Sequence, residues 1–165
     1  NASRKPLAGQ FTFQGRTVFV VGLHFASKSG DAPLFGRLQP PPAHTEAKRV
    51  RQAREVARFV SHLLESDANA SVVVAGDLND FEFSPAVKAL EDVGLTNLTA
   101  ARVGPAERYT YIYQGNSQCL DHVLVSAPLA GPASGCWVLH RYAEYRYDVR
   151  HSDHDPVVVH LAFPE

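Results

Sequence analysis

Three stretches of this chain are apolar without alternating, and they constrain its fold more than any other feature. Val18-Phe19-Val20-Val21-Gly22-Leu23, Val72-Val73-Val74-Ala75 and Val157-Val158-Val159, continuing through His160 to Leu161, offer apolar side chains to both faces of a strand. Val123-Leu124-Val125 is a shorter case. Strands of this kind are covered on both faces, whereas half-solvated strands alternate. Phe11–Phe13 and Thr17–Phe25 flank Gln14-Gly15-Arg16 and predict a hairpin. The covering helices are few. Thr45 caps a predicted helix running to about Glu65, whose stripe is Val50, Ala53, Ala57, Val60 and Leu64. A short second helix runs from Pro85 to Val93, with Ser84 as cap and Gly94 as stop.

One long and one short helix cover one face of a sheet of about five strands. At ~4.8 Å between strands and ~17 Å along them, the other face measures about 400 Å². Leaving it wet forfeits roughly 10 kcal/mol, comparable to a whole domain's stability. The second face is therefore expected to meet something else, either protein outside this chain or a second copy in a homodimer. The 165 residues suit one domain. Asn1-Ala2 reads as a tag remnant and is set aside. No apolar run approaches the ~20 residues of a membrane helix, so no membrane partner is expected. Two cysteines make neither a disulfide framework nor a zinc site. Pairing of 119–125 with 136–142 would hold Cys119 and Cys136 too far apart to bridge, so both are expected as free thiols.

The net charge of −1 announces no nucleic-acid binder, but its distribution is uneven. Ten of the 16 Lys and Arg lie in residues 1–58, against Asp31, Glu46 and Glu55. Lys48, Arg49, Arg51, Arg54 and Arg58 fall on the long helix. A solvated helix face is the plainer reading, and a phosphate-steering surface the sharper one.

Four polar motifs abut the apolar strands. Gly76-Asp77-Leu78-Asn79-Asp80 follows Val72–Ala75, where a carboxylate and an amide two residues apart can share one side of the strand end. They suit a divalent metal or a water oriented at phosphorus, or simply an Asx-turn. His151-Ser152-Asp153-His154-Asp155-Pro156 precedes the last strand, and Pro156 holds Asp155 extended. Ser117-Gln118-Cys119-Leu120-Asp121-His122 opens the strand at Val123, where a buried Asp can orient an imidazole. His24 ends the first long strand. If these ends converge they form a site of His, Asp and Asn without a cysteine or a serine elbow, which suits metal-assisted hydrolysis more than acyl transfer. Residues 26–44 are a Gly- and Pro-rich loop of a length that is usually functional, and its Lys28 and Arg37 could meet a phosphate backbone. Tyr109, Tyr111 and Tyr113 alternate along one strand; sheet packing is the simpler reading, stacking on bases the other.

The segments VGLHFASK, VVVAGDLNDF, CLDHVLVS and HSDHDPVVV, in that order across residues 17–160, resemble the C-terminal half of the endonuclease/exonuclease/phosphatase superfamily, the deoxyribonuclease I-like proteins. SKSGDAPLFGRLQPP and YTYIYQGNSQCLDH resemble its bacterial extracellular nucleases. The resemblance implies a mixed α/β fold over residues 1–165, half of a two-sheet sandwich. One long and one short helix would lie on one face, and the N-terminal half would lie outside the chain. That half carries the family's metal-binding Glu, and no acidic residue here precedes Asp31. Catalytic roles would fall to His24, Asp77, Asn79, Asp121 and His154. His154 would act at the scissile phosphate as base or electrostatic stabiliser, with Asp121 fixing its tautomer. Asp77 would orient or deprotonate water, Asn79 would bind phosphate or metal, and His24 would be a second phosphate histidine. Asp153, Asp77 and Asn79 would hold Mg²⁺ or Mn²⁺. The implied activity is phosphodiester hydrolysis, with DNA or RNA as substrate and small phosphoesters or phospholipid head groups as the alternative. A non-catalytic module that dimerises through its sheet is the other class. An extracellular bacterial setting follows from the branch resemblance alone.

Overall fold

The structure is a computed structural model that describes residues 4–131 and 134–163; the tag-like Asn1-Ala2 lies outside them. Strands β1 (Leu7–Phe13) and β2 (Arg16–His24) form the expected hairpin. It turns on Gln14 and Gly15, both with positive φ, the geometry that suits the twist of a two-residue hairpin. Helix α1 (Glu46–Ser66) leads into β3 (Ser71–Asp77), which lies parallel to β2. Helix α2 (Pro85–Glu91) follows, capped as expected by the Ser84 hydroxyl accepting from the Val87 N–H. Two short elements come next, β4 (Thr96–Asn97) and α3 (Leu98–Arg102). A small hairpin of β5 (Tyr111–Tyr113) and β6 (Asn116–Gln118) precedes β7 (Asp121–Val125). Strands β8 (Gly135–Val138) and β9 (Val157–His160) close the chain as a separate antiparallel pair.

The main sheet is mixed, in the order β1-β2-β3-β7-β4. Alternation along its strands divides the core in two. Val21, Leu23, Val72, Val74 and Leu124 pack under α1 and α2 with Ala53, Val56, Val60, Val87 and Leu90. Val18, Val73, Val123 and Val125 face the other way, against Leu98, Val103, Leu129 and Cys136.

That second cluster corrects the layer count. Helix α3, too short to register as a periodic pattern, and the β8–β9 pair fold over the second face, with Val138, Val157 and Val159 packed against it. Part of that face is thus covered within the chain. The β1 end stays open, with Leu7 78%, Phe11 57% and Phe13 52% exposed. Three further expectations give way. Strand β9 is not buried on both faces but alternates, because it lies outside the main sheet and Val158 is exposed. Strand β7 pairs with β3 and β4 rather than with residues 136–142. Cys119 and Cys136 are nonetheless free, both buried, and burial pushes the Cys119 thiol up to about 12. Thr45 makes no side-chain cap: its hydroxyl donates to Asp31 and accepts from Arg49.

Arg49 departs from expectation as well. It is not on a solvated face but 1% exposed. Its Nε donates to Asp80 Oδ2 at 2.7 Å and its Nη2 to Asp31 Oδ2 at 3.3 Å. Burial opposes the Asp31 charge, but the Thr45 hydrogen bonds and Arg49 outweigh it and hold that carboxyl below its ordinary range. The network ties the 26–44 loop and the 77–80 turn to the start of α1.

Candidate active site

Strand pairing assembles the site. His24 ends β2, Asp77 ends β3, and the two are register partners in the parallel pair. Asp121 opens β7, which runs the other way, so it too is a register partner of Asp77. Three side chains from three inner strands therefore stand in a row across one end of the sheet. Gly76 permits this row. It has φ +142°, and a Cβ there would collide with the Leu23 carbonyl of the neighbouring strand.

The next turn brings in Asn79, at φ +51°, a conformation Asn tolerates better than most residues. Its backbone N–H donates to Asp77 Oδ1 at 2.7 Å, and its Nδ2 to Asp77 Oδ2 at 3.0 Å and to the Phe25 carbonyl at 3.2 Å. His154 arrives from the segment before β9, held by a bridge to Tyr111. Its Nδ1 is 2.6 Å from Asp121 Oδ2, leaving Nε2 facing Asp77 Oδ2 at 3.9 Å. His24 Nε2 lies 3.2 Å from the same Asp77 oxygen. All five residues, with Lys28 and Asp153, line one open cleft of about 810 Å³.

Electrostatics follow from this crowding. Burial and the Asp121 charge raise the pKa of Asp77 against the opposing Asn79 N–H and the two histidines. Burial disfavours the charged form of His154, but the Asp121 hydrogen bond and the charges of Asp121, Asp77 and Asp153 outweigh it and raise its pKa. The site is thus a carboxylate pair flanked by imidazoles. One ligand atom from each of Asp77, Asp121 and His154 falls within 4.8 Å of the others, close enough to share a metal ion. Asp153, expected as a ligand, lines the cleft but is outside that group, its side chain exposed. Two adjacent carboxylates fit a hard divalent cation, whose remaining positions would go to water or substrate oxygen.

Lys28 reaches the cleft but is held by Asp80 Oδ1 at 3.4 Å and lies over the Phe81 ring. Arg37 is on the same loop, outside the cleft lining. His122, beside Asp121 in sequence, points to the other side of β7. Fully buried, its Nε2 meets the Asp80 carbonyl at 2.9 Å and its Nδ1 the Asn97 amide at 3.1 Å. It braces the 77–80 turn from behind.

Two contributors, Thr110 and Arg4, carried no clear signal in the sequence. Thr110 is fully buried; its hydroxyl donates to Asp121 Oδ2 at 2.6 Å and accepts the Leu120 and Asp121 N–H groups at 3.2 Å. Tyr111 stacks on the His154 ring at 4.7 Å and on the Tyr113 ring of its own strand at 6.2 Å, so it packs along the sheet and on the imidazole together. Tyr109, outside β5, stacks on His140 instead. The Arg4 guanidinium contacts His24 at the cleft wall.

The family model for the Endonuclease/Exonuclease/phosphatase family matches residues 2–154. The chain belongs to that family. Among curated proteins no sequence matches it. Solved structures share its fold. Truncated TDP2 from Caenorhabditis elegans has a TM-score of 0.69 at 17% identity, over 96% of this chain and 59% of that one. The beta toxin of Staphylococcus aureus gives 0.65 at 18%, over 94% and 56%, and a variant of that toxin was solved with bound magnesium ions. Sphingomyelinase C from Streptomyces griseocarneus gives 0.60 at 23%, over 92% and 56%. The Endonuclease/Exonuclease/phosphatase chain described here thus spans little more than half the length of these structures.

Proposed function

We propose that this domain is the catalytic-residue-bearing part of a divalent-metal-dependent phosphodiester hydrolase acting on nucleic acid. The observation that carries the reading is the row His24–Asp77–Asp121 across the strand ends, with His154 closing over it. A phosphodiester needs a nucleophilic water, charge neutralisation at phosphorus and a proton for the leaving oxygen. Asp77, fixed by two Asn79 hydrogen bonds, is placed to orient water. His154, its Nδ1 engaged by Asp121, presents Nε2 to the cleft for a phosphoryl oxygen. His24, on the other flank of Asp77, serves the same phosphate. Mg²⁺ or Mn²⁺ held by Asp77 and Asp121 would supply Lewis-acid polarisation of the phosphoryl group. We further propose that a segment outside this chain completes the site. Two carboxylates are a sparse set for such an ion, and the chain spans about half of the structures it resembles.

The open cleft favours a diester with groups on both sides of phosphorus. The test is hydrolysis of plasmid DNA, bis(p-nitrophenyl) phosphate and p-nitrophenyl phosphate with Mn²⁺ or with a chelator, by this chain, an N-terminally extended form and His154→Ala in each. Metal-dependent diester cleavage, stronger in the extended form and at least ~100-fold lower in the variant, is expected. Preferential cleavage of the monoester would make this a phosphatase. Activity indifferent to His154→Ala would remove the proposed centre.

A further inference from the structure

The cleft has no surplus of positive charge with which to attract a polyanion. Asp31, Asp77, Asp121 and Asp153 stand against Arg4, Lys28, His24 and His154, with Lys28 already paired to Asp80 and Asp31 to Arg49. Uncompensated positive charge lies just outside, on α1. A smaller groove whose lining includes Arg4, His24, Ser27, Ser29, Thr45 and Lys48 joins the main cleft at Arg4, His24, Ser27 and Ser29. Beyond Lys48, Arg51 and Arg54 follow at i+3 and i+6, opposite the buried side of the helix formed by Arg49, Ala53, Val56, Ala57 and Val60. Arg51 and Arg54 are exposed and Lys48 half-buried. Among the described residues none of the three has an ion-pair partner, whereas Arg58 further along is neutralised by Glu55.

The stripe is also fixed relative to the cleft. Arg49, between Lys48 and Arg51, is locked to Asp80 and Asp31, so the first turns of α1 cannot drift from the 77–80 turn. We propose that Lys48, Arg51 and Arg54 form a track for the phosphate backbone of a nucleic-acid strand leaving the cleft past His24. It rests on the nucleic-acid reading of the cleft. Six residues of helix advance about 9 Å, the axial length of two to three nucleotides at ~3.4 Å each. Three flexible cations over that length match three phosphates and carry no base information.

The experiment is fluorescence anisotropy with a labelled single-stranded 20-mer, titrated at several salt concentrations in chelator to prevent cleavage. Each lost phosphate contact lowers the slope of log affinity against log salt by about 0.7 for a single strand. The Lys48→Gln/Arg51→Gln/Arg54→Gln variant is expected to lose about 2 from that slope. A charge-matched control, Arg16→Gln/Lys88→Gln/Arg102→Gln, removes cations from the far end of β2 and from α2 and α3, and is expected to change it by less than about 0.5. Single Arg51→Glu and Arg54→Glu variants give a second measure. Failure of the chain to bind the oligonucleotide, an unchanged slope in the track variant, or an equal loss in the control would each overturn the track. Hydrolysis of bis(p-nitrophenyl) phosphate by the N-terminally extended form with Mn²⁺, measured alongside, separates the two ideas. Turnover without oligonucleotide binding overturns the track and leaves the chemistry standing. Track-dependent binding without turnover supports the track and overturns the chemistry.

Discussion

A methyl group at Gly76 would run into the Leu23 carbonyl, at a φ that L side chains rarely adopt. Gly76→Ala is therefore expected to cost about 2–3 kcal/mol, measured by urea denaturation, and to part β2 from β3 where His24 and Asp77 stand. The Asp121–His154 pair makes a second prediction. The folded pKa of His154 is raised, so the pair's contribution to stability is fully present below the unfolded value of about 6.5 and is lost as pH rises through the folded value. Asp121→Asn removes it. The stability gap between native chain and variant should shrink as pH is raised from 6 to 9; a gap constant with pH would show that His154 is not charged in the fold. His122 runs oppositely. Burial lowers its pKa despite the Asp80 carbonyl, so its contribution is present above about 6.5 and is lost as pH falls toward the folded value. Above about pH 7.5 His122 is neutral in both folded and unfolded chains, so the change in the gap from there to pH 9 belongs to His154.

At the scale of elements, Arg49 joins the long loop, the 77–80 turn and α1. Arg49→Ala leaves the Asp31 carboxylate, 8% exposed, without its cation and the Asp80 carboxylate, 4% exposed, with Lys28 alone. Breaking a buried pair on one side costs about 3–5 kcal/mol. The variant should melt well below the native chain, and trypsin should cut the 26–44 loop at Lys28 or Arg37 far faster. Unchanged cleavage there would mean that the loop is held by something else. Arg49 also shows where sequence reading stops. Its neighbours Lys48, Arg51, Arg54 and Arg58 made it look like one more surface cation, and only the fold shows two aspartates converging on it from 18 and 31 residues away. The long strands, both longer helices, the hairpin turn and the polar strand ends were legible, because each is written in local periodicity or capping. The α3 turn was not, since five residues carry no period, nor was the pairing of β8 with β9, a contact across about twenty residues. Asp121 and His154 were visible as residue types, whereas the Thr110 hydroxyl between strand and carboxylate had no signature beyond its place in YTY.

At the scale of the whole molecule, the placement of charge explains why the fold should respond to a cation. Strand pairing forces Asp77 and Asp121 side by side, and burial, together with their repulsion, raises the pKa of Asp77. A divalent ion that binds the folded site and not the unfolded chain stabilises by RT ln(1 + [L]/Kd), about 2.7 kcal/mol at a hundredfold excess over Kd. Millimolar Mn²⁺ or Mg²⁺ should therefore raise the melting temperature by several degrees, with chelator reversing the shift. For a domain of this size, 1 kcal/mol corresponds to about 3–4 °C. Asp77→Asn should abolish most of the gain. Asp153→Asn, outside the Asp77, Asp121 and His154 group, should keep most of it. A metal shift lost in Asp153→Asn but kept in Asp77→Asn would move the ion to the rim of the cleft and away from the carboxylate pair that the sheet builds.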